Sequence, residues 1–229
     1  MTTTTAFRRM GTIAVLAAVM LTAPYAGRAG ADDIVKHDAH TEHARQGTRP
    51  APPVQVGMPA PGFTLDAVVG TERGKEFKEV SLAGYRGKWV VLFFYPLDFT
   101  FVCPTEIKAF NASLDSFRKL NAEVLGASVD SKYSHLAWLK RGDLGTLGYP
   151  LLSDFKKEVA RRYGILDARE GVALRGLFII DPQGVIQYES VNNLSVGRSV
   201  DEVLRVLEAL QTGELCPINW KPGQKTLGK

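Results

Sequence analysis

The stretch Trp89-Val-Val-Leu-Phe-Phe-Tyr-Pro-Leu-Asp-Phe-Thr-Phe-Val-Cys-Pro-Thr-Glu-Ile-Lys-Ala-Phe110 decides how the chain is read. Val90 to Tyr95 are aliphatic or aromatic on both alternating faces, which predicts a central strand covered on both sides by helices. Pro96 cannot continue the hydrogen-bond ladder and ends the strand. After Cys103, apolar residues recur at Ile107, Phe110, Leu114, Phe117 and Leu120. Spacings of three and four put them on one face of a helix of about four turns. Pro104 suits the first helical position, which assigns Cys103 to the N-cap, beside free backbone amides and the positive end of the helix dipole. A thiolate is favoured in that place.

Most free cysteines are small buried apolar residues, and that remains the plain reading of Cys103. The order of strand, proline loop and helix-opening cysteine points instead to chemistry. It is similar to a thioredoxin-like active site, but the second cysteine of that motif would fall on Glu106, so no local Cys-x-x-Cys disulfide can form. The segment Pro96-x-x-x-Thr100-x-x-Cys103 does match a known motif: it resembles the active-site signature of the peroxiredoxins. The resemblance runs from about Val54 to Gln224. Gly213-Glu214-Leu215-Cys216-Pro217 aligns the chain with the typical two-cysteine subgroup, of the alkyl hydroperoxide reductase C or thioredoxin peroxidase type.

That resemblance implies an α/β thioredoxin-like fold with a central mixed β-sheet flanked by helices, and a thiol peroxidase acting on hydrogen peroxide or small organic hydroperoxides. It implies no metal, haem or flavin, a thioredoxin-like reductant, and a homodimer that can assemble into a decamer of five dimers. By the same resemblance Cys103 is the peroxidatic and Cys216 the resolving cysteine, whose disulfide joins two subunits. Pro96, Thr100 and Arg175, in Arg175-Gly-Leu-Phe-Ile-Ile-Asp181, match active-site positions. Glu106 and Arg198 match positions that support the arginine. Without the resemblance, Arg175 reads as a surface ion-pair partner, Glu106 and Arg198 as an exposed helix-end pair, and the two cysteines of an exported protein as one structural disulfide.

The chemistry is consistent with the residue types. An ordinary thiol near pKa 8.5 is about 3% thiolate at pH 7, whereas one lowered to about 6 is about 90%. A Brønsted slope of about 0.4–0.5 returns most of that gain as lost nucleophilicity, leaving about threefold. A fast peroxidase must therefore draw its rate from groups that hold the peroxide in line and stabilise charge on the leaving oxygen. The Thr100 hydroxyl both donates and accepts, and the Arg175 guanidinium stays charged with several fixed donors.

The rest of the chain frames this segment. Its 229 residues, 45% hydrophobic, suffice for one well-filled domain with extensions. The formal charge of +4 is concentrated at the start: without Arg8, Arg9 and Arg28, 25 basic residues face 24 acidic ones, a net charge of +1. No nucleic-acid partner is implied. Residues 1–31 read as a secretory signal, with Arg8 and Arg9, an apolar stretch from Ile13 to Leu21, and Ala29-Gly30-Ala31 before cleavage at Asp32. The apolar core is short for a membrane span. An uncleaved anchor is the alternative, and the arginine pair is a weak match to twin-arginine export. A periplasmic or secreted protein without stable membrane association follows. Residues 32–53 carry Pro50, Pro52 and Pro53 without apolar periodicity and read as a disordered linker. His37, His40 and His43 lie within it; a solvated cluster is the plainer reading than a weak metal site, and no ligand is assigned.

Residues 54–229 form the predicted domain. Phe63-Thr64-Leu65 and Phe77 to Val80 are strand candidates before the central strand, and Val124 to Val129 one after it, in the strand-helix-strand order of a parallel sheet. Ser134 to Lys140 and Lys156 to Tyr163 read as helices, and Tyr149 to Leu152 as a short strand. Leu177–Ile180 and Val185–Tyr188 read as a hairpin around Asp181-Pro-Gln-Gly184. Val200, Leu204, Leu207 and Leu210 stripe a final helix before the tail. Thirteen residues follow Cys216 and contain neither Tyr nor Phe. No helix is expected to cover the active site from there, and the glycine-rich partner motif of overoxidation-sensitive relatives is altered to Gly142-Asp143-Leu144-Gly145, so resistance to overoxidation is expected. Two other readings of the chain remain: a thiol-disulfide oxidoreductase or redox chaperone using the same cysteine, and a non-catalytic module stapled by Cys103 and Cys216.

Overall fold

The computed structural model describes residues 54–229. The expected signal at 1–31, the linker at 32–53 and the histidines at 37, 40 and 43 lie outside the described residues.

In chain order the elements are β1 (Thr64–Val68), β2 (Phe77–Ser81), β3 (Trp89–Phe94), α1 (Cys103–Ala112), α2 (Leu114–Lys119), β4 (Ala122–Ser128) and α3 (Lys132–Arg141). There follow β5 (Leu151–Ser153), α4 (Glu158–Arg162), β6 (Leu166–Asp167), β7 (Val172–Ala173), β8 (Arg175–Ile180), β9 (Ile186–Asn192) and α5 (Val200–Thr212). Seven strands make one mixed sheet in the order β2-β1-β5-β4-β3-β8-β9. β3 runs parallel to β4 and antiparallel to β8, so it sits inside the sheet. Its doubly apolar pattern follows from that place. Val91, Phe93 and Tyr95 enter one core with Ile107, Phe110, Phe117 and Trp138, while Val90, Leu92 and Phe94 enter the other with Tyr163 and Phe178. The mixed α/β, thioredoxin-like architecture read from the sequence is the one observed.

Side-chain volume fixes the contact between β3 and β4. Phe93 stands opposite Gly126 in register, and a Cβ on Gly126 would meet the Phe93 ring at 2.9 Å. The missing side chain gives the ring room to stack on Phe110 of α1, with centroids 4.3 Å apart. The helix that begins at Cys103 is thereby pressed onto the strand that precedes it.

The structure corrects two expectations and adds one element. The helix predicted from Cys103 to Leu120 is two helices, interrupted at Ser113 (ψ 5°). Asn111 explains the interruption: its side chain donates to the Thr146 carbonyl (3.0 Å) and accepts from the Gly148 amide (2.8 Å), a tie to a neighbouring loop that competes with helical continuation. The apolar stripe survives, since Ile107, Phe110, Leu114 and Phe117 are all buried. Cys103 is the first helical residue and Val102 the cap, with Pro104 at the second position. Proline is tolerated there for the same reason as at the first, because neither N–H has a helical partner. The small β6–β7 hairpin was not foreseen; its two-residue strands are too short to show a period.

The 177–188 hairpin is present as β8 and β9. The Asp181 carboxylate organises its turn by accepting from the Gln183 and Val185 amides, both at 2.9 Å.

Candidate active site

Cys103 is fully buried at the start of α1, its thiol held between that helix and β8. Arg175 opens β8, and its Nη1 lies 3.5 Å from Cys103 Sγ. The same nitrogen donates to Glu106 Oε2 at 2.5 Å, and Nε donates to the Leu194 carbonyl at 2.7 Å. Both residues are interior, Arg175 3% and Glu106 4% exposed. The exposed ion-pair reading of these positions is therefore excluded.

Arg198 reaches the same carboxylate from the loop before α5. Its backbone N and Nε donate to Glu106 Oε1 at 2.9 and 2.7 Å, and Nη2 donates to Oε2 at 2.9 Å. Its Nη1 donates to the carbonyls of Phe94 and Gly176 at 2.8 and 2.7 Å. Burial is the largest influence on this guanidinium and pulls its pKa below the ordinary arginine value; the Glu106 carboxylate opposes the shift. The cluster is two cations sharing one anion, an excess of one positive charge facing sulfur. A buried ion costs several kcal/mol of desolvation unless every donor and acceptor is satisfied, and no buried side-chain polar atom among the described residues lacks a partner.

Pro96 is buried just past the end of β3. Thr100 is half-buried on the following loop, and its Oγ1 donates to the Leu97 carbonyl at 3.0 Å. The hydroxyl proton is thus engaged, which leaves the oxygen lone pairs to accept from a substrate. The arrangement can present a sulfur nucleophile to a small polar oxidant, with one acceptor on the loop and fixed cationic donors behind.

Cys216 lies elsewhere. It is half-buried against the end of α5, with Sγ 3.6 Å from Thr212 Oγ1 and 3.8 Å from the Ala209 carbonyl. Both cysteines are free thiols. The tail that carries Cys216 is packed rather than loose. Trp220 is 4% exposed, its carbonyl accepts from Arg205 Nη1 at 3.1 Å, and the Leu215 amide donates to the Gly228 carbonyl at 2.9 Å. Among the described residues no helix follows Cys216.

The structure brings Cys103, Glu106, Arg175 and Arg198 together, and it holds a second polar cluster beneath the Thr100 loop that sequence reasoning missed. Tyr95, Asp98, Ser128, Asp130 and His135 form it. Asp98 and His135 are 7% and 0% exposed. The available signal was His135 standing three and four positions before Trp138 and Leu139, which marks it as part of the inward face of α3. Trp220 was missed as well, the one large apolar side chain in the tail that is buried.

Residues 56–189 match the AhpC/TSA family. The chain is 56% identical over 183 residues to a putative peroxiredoxin, ycf42, of Pyropia yezoensis, covering 76% of this chain and 89% of that protein. It is 56% identical over 180 residues to peroxiredoxin-2 of Cricetulus griseus, covering 75% and 89%. Among solved structures it resembles the reduced 2-Cys peroxiredoxin of Plasmodium vivax, with a TM-score of 0.71 and 46% identity over 76% of this chain and 93% of that one. The AhpC of Mycobacterium bovis superposes with a TM-score of 0.68 and 45% identity, covering 74% and 99%.

Proposed function

Because the chain belongs to the AhpC/TSA family and is a peroxiredoxin, a thiol-dependent peroxidase, we propose that Cys103 reduces hydrogen peroxide or small organic hydroperoxides and that Cys216 of a second subunit resolves it. The single observation that carries the reading is the Arg175 guanidinium, 3.5 Å from Cys103 Sγ and fixed by Glu106. The thiolate attacks one peroxide oxygen and the O–O bond breaks. The other oxygen leaves as hydroxide or alkoxide and takes a proton to become water or alcohol, leaving Cys103 as sulfenic acid. Thr100 Oγ1 accepts the peroxide hydrogen and Arg175 donates to the oxygen on which charge develops. Pro96 closes the strand end behind them, and Glu106 with Arg198 holds the guanidinium in place. Condensation of the sulfenic acid with the Cys216 thiol expels water and forms a disulfide. A thioredoxin-like dithiol then restores both thiols and is itself oxidised.

The dimer, and a decamer built from it, rest on the family resemblance and on the different surroundings of the two thiols, one under β8 and one against α5. Export to the periplasm or outside the cell rests on Arg8 and Arg9, the apolar stretch Ile13 to Leu21 and the small residues 29–31. The domain at 54–229 follows a linker at 32–53 in this reading. Adding hydrogen peroxide to reduced protein and counting thiols tests the whole. Rapid loss of thiols, with a dimer-sized disulfide species on a non-reducing gel, is expected; preference for disulfide substrates over peroxide would favour an oxidoreductase.

A further inference from the structure

The polar cluster beneath the Thr100 loop takes no part in the mechanism above, and its geometry is unusual for an interior. His135 Nε2 lies 3.1 Å from the Leu152 carbonyl oxygen and Nδ1 lies 2.8 Å from Asp98 Oδ2. A carbonyl oxygen only accepts, so Nε2 carries a hydrogen. The contact between Nδ1 and the carboxylate oxygen then requires a second hydrogen, either on the ring or on the acid; without it, two lone pairs would face each other out of water. His135 and Asp98 therefore hold one shared proton between them.

The rest of the cluster ties that pair to the reactive loop. Asp98 Oδ1 accepts from the Tyr95 hydroxyl at 3.0 Å, and the Asp98 amide donates to Asp130 Oδ2 at 2.8 Å. Asp130 Oδ2 also accepts from Ser128 Oγ at 2.9 Å. The side chain and the backbone of one loop residue are thus both anchored, two positions before Thr100 and five before Cys103. Among the described residues His135 is the side chain of basic type paired with Asp98.

We propose that His135 is a positioning residue for the peroxide reaction: through the proton it shares with Asp98 it fixes the 97–100 loop, so that the Thr100 hydroxyl meets the substrate beside Cys103. The inference rests on the peroxidase reading of Cys103 and Thr100.

The groups that face His135 are few. Tyr95 approaches Nδ1 to 3.4 Å from the end of β3, Asp98 comes from the loop, the Asp130 carboxylate from the end of β4, and the Leu152 carbonyl from β5. On α3 itself the cations look outward, Lys132 to Asp66 and Arg141 to Asp143. Burial, and then Asp98, hold the Tyr95 hydroxyl far above its ordinary value, so it stays a donor. Burial and the facing Asp98 charge also raise Asp130 above the usual carboxylate range. An unprotonated His135 would leave these two carboxylates without a counter-charge.

The test separates peroxide positioning from thiol reactivity and from folding. In the purified protein, the second-order rate of Cys103 oxidation by hydrogen peroxide is measured for the native chain and for His135→Gln, beside the rate of Cys103 alkylation by iodoacetamide. Gln can donate to Asp98 but cannot bridge it to the Leu152 carbonyl as the two ring nitrogens do. The substitution should lower the peroxide rate about tenfold or more, while alkylation stays within about twofold. A peroxide rate equal to the native one, or a parallel loss of alkylation, overturns the proposal. If the variant does not fold, hydrogen exchange of the Asp98 amide in the native protein decides. That amide, held by Asp130, should exchange far more slowly than an open-loop amide, and exchange at the unprotected rate overturns the proposal equally. Should the native protein show no fast peroxide reaction at Cys103 at any pH, the peroxidase reading itself has failed, a distinct result.

Discussion

Glu106 and Arg198 stand 92 residues apart in the sequence and are joined by three hydrogen bonds, two to one carboxylate oxygen and one to the other. The second oxygen also accepts from Arg175. A carboxylate saturated in this way holds two buried cations, so its charge is needed as well as its shape. Glu106→Gln is expected to destabilise the fold by about 3 kcal/mol or more, the scale for leaving a buried ion without its partner. Chemical denaturation measures it; a loss below about 1 kcal/mol would show that Glu106 does not carry that burden.

Arg175 makes three contacts at once, to Cys103, Glu106 and Leu194. Arg175→Ala should slow oxidation of Cys103 by hydrogen peroxide at least about a hundredfold, the scale for losing one preorganised charge-stabilising donor. Arg175→Lys should recover little, since an ammonium lacks the planar fork that spans these partners. Stopped-flow or competition kinetics give the second-order rates, and an unchanged rate in the alanine variant refutes the role.

The two thiols predict unlike variants. Cys103→Ser should abolish peroxide turnover, while Cys216→Ser should retain one stoichiometric oxidation and stop at the sulfenic acid. Trapping with a sulfenic-acid reagent and mass spectrometry distinguish them. Equal loss of the first oxidation in both would reverse or erase the assignment.

The tail predicts how Cys103 divides between resolution and further oxidation. Its hydrogen bonds run to Arg205 of α5 and within the tail itself, and its turns contain no helix to pack over α1. Arg205 is in turn held by both carboxylate oxygens of Glu202, at 2.6 and 2.7 Å. Repeated turnover on a chemical dithiol should leave little sulfinic acid at sub-millimolar peroxide. Arg205→Ala should form the disulfide severalfold faster and lower the sulfinic fraction further, with the first oxidation unchanged. Peptide mass spectrometry of Cys103 reads the outcome, and extensive sulfinic acid in the native chain contradicts it.

The sequence carried the central sheet because β3 is buried on both faces, so its six residues need no partner information to be recognised. Cys103, Pro104 and Glu106 lie on one short segment and were equally visible. Arg175 and Arg198 were found only through resemblance, since an arginine that will be buried looks the same in sequence as one that will not. The pairing of His135 with Asp98 was invisible for a related reason. Each is an ordinary polar residue in its own segment, and the two stand 37 positions apart and meet only in the folded sheet. The break at Ser113 escaped because Asn111 is restrained by a loop, not by its helical neighbours.

The guanidinium over Cys103 comes from β8 and its support from the loop before α5, so the site is complete only when three remote pieces of chain have met. Closing loops of 72 and 92 residues costs entropy that only the docked sheet repays. In the proposed mechanism, a chain still on the ribosome therefore carries Cys103 long before the arginine that would activate it toward peroxide. On that mechanism the last third of the sequence, which holds Arg175 and Arg198, completes a site whose nucleophile was made long before it.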